Sequence, residues 1–261
     1  MPYTRSMRIT TWNVNGLRAA ARKGILEQIQ RISPDVLLLQ EIRAQPEQLD
    51  PDIAQPPGWH VWWHPAERRG YSGVAIWSKK PIRIESIGLN GRDPEGRLLL
   101  ARIGSVRVGS VYLPSGSSGD HRQAVKDRWL EAMLPWTRRF ARSPIPTVLG
   151  GDFNIAHTKR DIYHWKSNQT TSGFLPHERA WMSSFLDQGW HDFVREQAGD
   201  VDGPYSWWSN RGRARELDRG WRIDYVAGNR PAGRIAGKAW IDRQAGLAIS
   251  DHAPVSVEID A

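Results

Sequence analysis

The chain has 261 residues, 39% of them hydrophobic, with a net charge of +8 and a pI near 10.0. That is enough apolar material for a sizeable core, which excludes an intrinsically disordered chain. No apolar run reaches the ~18 residues of a membrane-spanning helix, Met1–Ser6 lacks the apolar core of a secretion signal, and the lack of cysteine excludes disulfides, thiolate catalysis and Cys-based zinc sites.

In chain order, residues 1–6 read as a short tail and Arg8–Trp12 as a first strand. Leu17–Ile32 follows as a helix, with Ile25, Ile29 and Ile32 at helical spacing. Strand patterns recur at Val36–Gln40, Trp59–Trp63, Gly73–Trp77, Leu98–Ile103 and Val106–Leu113. Ser115-Gly116-Ser117-Ser118-Gly119 reads as a surface loop. Asp120–Phe140 is a second helix with a capping-box-like start at Asp120 and Gln123. Its stripe of Trp129, Met133, Trp136 and Phe140 is expected to be core. Thr147–Gly150 is a strand, and Pro176–Leu186 a third helix with Pro in its first turn. Ile223–Ala227 and Pro254–Ile259 complete the strands. The start is a βαβ unit, and the later strands follow one another across short Gly/Pro turns, which implies antiparallel pairs. The expected fold is therefore α/β (α+β): packed mixed sheets with helices outside, in one domain spanning 1–261. A cytoplasmic monomer without a membrane partner is expected.

Only 7 of the 36 basic residues are Lys. Guanidinium is a fixed-charge, bidentate partner for phosphate, so this balance points to a polyanion. Arg211, Arg213, Arg215, Arg219 and Arg222 cluster in one polar stretch. Of the 14 Trp, most should be core, with a minority near arginines available to stack on sugars or bases.

The segment Val148-Leu149-Gly150-Gly151-Asp152-Phe153-Asn154 says most about chemistry. The glycines are expected to turn the chain sharply at the end of a buried strand. Asp152 and Asn154, two apart, would point the same way and hold a water for hydrolysis. The competing reading is an Asx turn. Other strand ends also carry polar groups: Asn13 and Asn15; Gln40 and Glu41; Tyr112; Asp224; Asp251 and His252. Each alone reads as a turn or surface residue, but together they converge on one sheet edge. Glu41, Asp251 and an Asn offer hard oxygen ligands for Mg²⁺ or Mn²⁺. His252, backed by Asp224, suits donation to a phosphoryl oxygen. Tyr112 is a further donor, or a phenolate if the site depresses its pKa. Whether Tyr112, Asp152 or His252 takes the proton, and whether one metal or two are bound, stay open.

The boxes Asn13-Val14-Asn15-Gly16-Leu17-Arg18, Leu39-Gln40-Glu41, Tyr112-Leu113-Pro114, Gly151-Asp152-Phe153-Asn154, Gly173-Phe174-Leu175-Pro176-His177-Glu178-Arg179, Gly220-Trp221-Arg222-Ile223-Asp224-Tyr225 and Ser250-Asp251-His252-Ala253-Pro254 resemble the exonuclease III type of abasic-site endonuclease. The metal and catalytic boxes alone indicate the wider endonuclease/exonuclease/phosphatase superfamily. The Gly173 and Gly220 boxes are more specific. The resemblance implies a four-layered sandwich of two mixed sheets flanked by helices. It implies Mg²⁺ at Glu41 with Asn15 and Asp251 nearby, supported by Asn13. It implies Asp152 and Asn154 positioning water, and His252 with Asp224 donating to phosphate. A sugar pocket would be walled by Trp207, Trp221 and Ile223, with Gly173 beside it. Arg18, Arg43, Ser115 and Arg211 are expected to contact DNA, Arg211 as a wedge or a backbone contact. Ser115 stands where relatives often carry Asn or Gln, and its shorter side chain would need a bridging water; Asn15 matches the bacterial enzymes, whereas others have Asp there, which would weaken the metal site. The implied activity is Mg²⁺-dependent incision of duplex DNA 5′ to abasic sites, with 3′→5′ exonuclease and 3′-phosphodiesterase or phosphatase activity at blocked ends. The rivals are another superfamily phosphoesterase, acting on small phosphates or lipids, and a catalytically weak DNA-binding relative.

Overall fold

Strand β1 (Ser6–Asn13) alternates its side chains between two apolar environments, burying Met7 and Ile9 on one face and Trp12 on the other. A computed structural model of the protein describes residues 6–260. Of the expected tail, residues 1–5 lie outside the described residues, whereas Ser6 opens β1 opposite Asp260. After β1 come α1 (Leu17–Arg22), α2 (Ile25–Ile32), β2 (Val36–Gln40), α3 (Pro51–Ala54), β3 (His60–His64), β4 (Val74–Ser78), β5 (Arg83–Ile87), β6 (Leu98–Ile103) and β7 (Val106–Tyr112). The chain continues through α4 (Asp120–Ala141), β8 (Thr147–Asp152), α5 (Pro176–Asp187), β9 (Trp190–Asp192), α6 (Phe193–Ala198), β10 (Asp224–Asn229), α7 (Arg230–Gly233), β11 (Ala236–Ile241), α8 (Arg243–Ile249) and β12 (Val255–Asp260).

Two six-stranded sheets result, in the orders β11-β12-β1-β2-β4-β3 and β5-β6-β7-β8-β10-β9. Period-two alternation decides which layer each residue enters. In β2, Val36 and Leu38 join the core between the sheets, while Leu37 and Leu39 face α1, α2 and α8. In β6, Leu99, Ala101 and Ile103 face the first sheet, while Leu98 and Leu100 meet Leu130 and Met133 of α4 and Phe185 of α5. This is the four-layered sandwich the sequence implied.

The parallel β1/β2 pair confirms the βαβ start. The expectation of antiparallel pairing thereafter needs one correction. β7 and β8 are parallel, because the long helix α4 carries the chain back along the sheet. The helix expected over Leu17–Ile32 is also two helices, since Gly24 takes φ 83° and interrupts it. The expected cap of the Asp120 helix is absent: Gly119 precedes it without a side-chain cap, and Gln123 turns instead to Asp127 and Glu178.

Gly150 and Gly151 do not turn the chain, because both lie inside β8. They are needed for close approach. A Cβ on Gly150 would lie 2.7 Å from Leu38 Cδ1 of the facing sheet, and one on Gly151 would lie 1.8 Å from the carbonyl oxygen of Val111. The strand thereby delivers Asp152 to the sheet edge, where Tyr112 ends β7 beside it and Asp224 begins β10 opposite it.

Candidate active site

Asp152 is buried at the end of β8, and three amide groups converge on it. Asn154 N donates to Oδ1 at 2.8 Å, while Asn154 Nδ2 and Asn13 Nδ2 donate to Oδ2 at 3.2 and 2.9 Å. The Asx turn is thus present, and it, rather than strand alternation, sets the pair together, because β8 ends at Asp152. The backbone bond is the Asx turn, and the same turn, with Asn154 at φ 52°, brings the carboxamide against the carboxylate. Burial and the nearby Asp224 push the Asp152 carboxyl up to about 7, so its proton affinity lies near neutrality.

Asn13 links Asp152 to a second carboxylate, donating to Glu41 Oε1 at 3.0 Å. The same oxygen accepts the Tyr112 hydroxyl at 2.7 Å, and the Arg43 guanidinium pairs with Oε2. Asn15 Nδ2 and Trp207 Nε1 donate to the two oxygens of Asp251, at 2.7 and 3.1 Å. Asn15, Glu41, Arg43 and Asn154 all have φ near 50°, a conformation that costs energy in non-glycine residues and clusters at functional sites. Burial and the Glu41 charge push the Tyr112 hydroxyl well above its ordinary value. This direction favours Tyr112 as a donor over the phenolate alternative.

His252 completes the edge. Its Nδ1 lies 2.9 and 3.1 Å from the two oxygens of Asp224, and its Nε2 points toward Asp152 Oδ2 at 4.0 Å. Burial opposes charge on the ring, but Asp224, Asp152 and Asp251 outweigh it and raise the imidazole to about 10. Asp152, Asp224 and His252 could by spacing hold a metal, with ligand atoms within 4.8 Å of one another. The Nδ1 contact to Asp224 also leaves Nε2 facing Asp152, so the same three groups are placed to handle a proton. Glu41, Asp251 and Asn15 offer oxygen donors of the kind a hard cation takes, and Glu41 already pairs with the Arg43 cation. The Asn13 side-chain oxygen is taken by Asn15 N at 3.0 Å, so Asn13 is placed as a spacer between Glu41 and Asp152.

Beside these groups, Trp207, Trp221 and Ile223 share one apolar cluster with Phe174 and Ile162. The Trp207 and Trp221 rings meet edge-on with centroids 6.1 Å apart. Gly173 lies against this cluster at φ 94°, where a Cβ would stand 3.1 Å from the Asn154 carbonyl oxygen and 3.2 Å from Trp221 Cζ3.

The outer residues are less closely drawn in. Arg18 and Arg211 are exposed, and Ser115 is bonded to Ser117 in the β7–α4 loop. The five-arginine stretch is not one cationic surface. Arg222 is fully buried between Asp161 and Asp192, Arg213 pairs with Glu216, and Arg215 donates to the Leu247 carbonyl. The acids that bury Arg222, Asp161 and Asp192, lie tens of residues away in the sequence, whereas Glu216, which pairs with Arg213, lies within the stretch itself.

Two serines at the site escaped sequence reasoning. Ser206 Oγ accepts the backbone amides of Ile223 and Asp224 and donates to Asp224 Oδ2 at 2.7 Å. Ser250 Oγ donates to the Asn13 carbonyl at 2.8 Å. Position inside the recognised Ser250-Asp251-His252 box was a usable signal for Ser250. For Ser206 there was none beyond its adjacency to Trp207.

The model of the Endonuclease/Exonuclease/phosphatase family matches residues 10–252. The chain is 37% identical to an exodeoxyribonuclease of Bacillus subtilis (strain 168), over 97% of its own length and 100% of the relative's. It is 35% identical to the DNA repair nuclease APEX1 of Danio rerio, over 84% of this chain and 72% of that one. Among solved structures it is similar to the 3′ phosphatase NExo from Neisseria bound to product DNA hairpin, with TM-score 0.88 and 30% identity, covering 98% of this chain and 100% of that one.

Proposed function

The chain belongs to the endonuclease/exonuclease/phosphatase family, and from that premise we propose that it is a Mg²⁺-dependent DNA repair nuclease. It hydrolyses the phosphodiester 5′ to an abasic site in duplex DNA, leaving a 3′-hydroxyl and a 5′-deoxyribose phosphate. It also trims 3′ ends as a 3′→5′ exonuclease and removes 3′-blocking phosphate groups. The observation that carries this reading is the buried Asp152, held by Asn154 and Asn13 and facing the Asp224-backed His252 across 4.0 Å.

In this reading Asp152 and Asn154 hold the attacking water, and Asp152 accepts its proton, for which an affinity near neutrality is suited. His252, kept cationic by Asp224, donates through Nε2 to a phosphoryl oxygen. Tyr112 donates its hydroxyl to the same group. Glu41, Asn15 and Asp251 hold Mg²⁺, or Mn²⁺, with Asn13 as support. A bound cation supplies Lewis-acid stabilisation of the charge that develops on the phosphate and the leaving 3′-oxygen. Trp207, Trp221, Ile223 and Gly173 receive a flipped-out sugar that lacks its base. Arg18, Arg43, Ser115 and Arg211 contact the phosphate backbone on either side, and the partner is double-stranded DNA.

The test is a labelled duplex carrying one abasic analogue, incubated with Mg²⁺ or with EDTA, beside an unmodified duplex with a recessed 3′ end. Incision at the analogue with Mg²⁺ and none with EDTA is the expected result. Release of phosphate from a small phosphate ester without incision would overturn it, as would binding without turnover in any divalent metal.

A further inference from the structure

Lys126 of α4 and Glu178 of α5 have no part in the chemistry above, yet both side chains are fully buried. Taking two charges out of water costs several kcal/mol per ion unless close pairing and further hydrogen bonds offset it. Here those bonds run to the two segments that matter for substrate. Lys126 Nζ donates to Glu178 Oε1 at 2.5 Å and to the carbonyl oxygen of Asn154 at 2.8 Å. Glu178 Oε2 accepts the backbone amides of Gly173 at 2.6 Å and Leu175 at 3.0 Å. Gln123 Nε2 adds a bond to Oε1 at 3.1 Å.

The result is a rigid link from the Asp152–Asn154 turn to the wall of the sugar slot. Gly173 lies so tightly between the Asn154 carbonyl and the Trp221 ring that no methyl group fits without movement of either. Anything that lets Asn154 or Gly173 drift therefore changes the slot and the water site together. We infer that Lys126 and Glu178 are positioning residues that fix the sugar slot at Gly173 and Trp221 relative to the water held by Asn154. They thereby set the preference for an abasic sugar over an intact nucleotide. This inference rests on the abasic-site reading above.

The experiment compares kcat and KM for two reactions of the same protein: incision at a tetrahydrofuran abasic analogue, and exonucleolytic removal of an ordinary 3′-terminal nucleotide. Lys126→Met removes the contact to Asn154 while leaving Glu178 its two amides. Small displacements of a reacting group cost large factors in rate, so the abasic-to-exonuclease ratio of kcat/KM is expected to fall by roughly tenfold or more, mainly through kcat. Lys126→Arg should restore part of the ratio. Glu178→Gln, which weakens the bonds to Lys126 and to the Gly173 and Leu175 amides while keeping the shape of the side chain, should lower the ratio too and keeps the inference testable if Lys126→Met does not fold. A ratio unchanged in these variants, with both activities falling by one common factor, would mean that the pair only supports the fold, and would overturn the inference. Wild-type protein separates the two levels. If it fails to incise the analogue, the abasic-site reading falls and this inference with it; if it incises normally and the variants keep its ratio, only the positioning role falls.

Discussion

Asp152 shows how one carboxylate acquires a task from its neighbours. Its burial and the Asp224 charge raise its proton affinity, while three amide donors keep it oriented. Asp152→Asn keeps the shape but removes the proton acceptor, so single-turnover incision should fall by about 10²-fold or more. Retained incision would reassign the base. Asp161 is a contrasting case, buried for structure. Burial pushes its carboxyl up, but Arg222 and Arg195 overcome this and hold it well below the usual carboxylate range. The unfolded chain then takes up a proton before the folded one as pH falls. The stabilisation is complete above the ordinary carboxylate value of 3.8 and is lost as pH drops through the lower folded value. Asp161→Asn leaves Arg222 buried with one carboxylate partner fewer, and should cost about 3–5 kcal/mol at pH 7. It should also flatten the loss of stability below about pH 4. Urea denaturation at both pH values measures each effect, and an unchanged acid slope would show that the network does not carry it. At this scale the residue types of the candidate site were legible because carboxylates and amides at strand ends are chemically conspicuous. The second partners, such as Ser206 on Asp224, were not, because nothing local distinguishes a serine that will meet a carboxylate 18 positions away.

Strand β8 carries the most constrained packing at the scale of elements. The Gly-Gly pair stood out in the sequence, but the expected sharp turn is the wrong reason for it. Gly151 is glycine because the backbone of β7 leaves no room for a Cβ, and Gly150 because the other sheet packs onto it. A methyl at Gly151 would collide with the Val111 carbonyl rather than with a movable side chain. Gly151→Ala should therefore destabilise by about 3 kcal/mol or more through overpacking, read from the midpoint of chemical denaturation. A wild-type midpoint would show that β7 and β8 can part without cost. The most apolar elements were legible from their pattern: β2, β6, β7 and the Trp129–Phe140 stripe of α4 stand where it places them. The half-exposed β5 and β11 and the very short β9 were not. β5 reads Arg-Ile-Glu-Ser-Ile and β9 has only three residues, so neither carries a period long enough to separate strand from loop.

Over the whole molecule the excess of arginine remains, but its distribution differs from the one that the sequence suggested. Arg97, Arg107 and Arg222 are buried in ion pairs, whereas Arg18 and Arg211 are exposed at the surface. Binding to duplex DNA should weaken linearly in log–log form with salt, by a slope of about −0.9 per phosphate neutralised. Arg211→Ala should make that slope shallower by about one, as measured by anisotropy titration over a series of salt concentrations. An unchanged slope with weaker lesion binding would instead assign Arg211 to the interior of the helix as a wedge.

The sequence by itself determined the layered α/β architecture, the run of polar strand ends and the family, because periodicity and short chemical boxes are local properties of the chain. Only the tertiary structure decided that Gly150 and Gly151 serve packing, that the Tyr112 hydroxyl meets Glu41, that Arg222 is internal, and that Lys126 and Glu178 tie the Asp152–Asn154 turn to the backbone at Gly173. Each of these depends on which distant residue arrives at a given position, and that is set by sheet order and helix return rather than by anything within a few residues of the position itself.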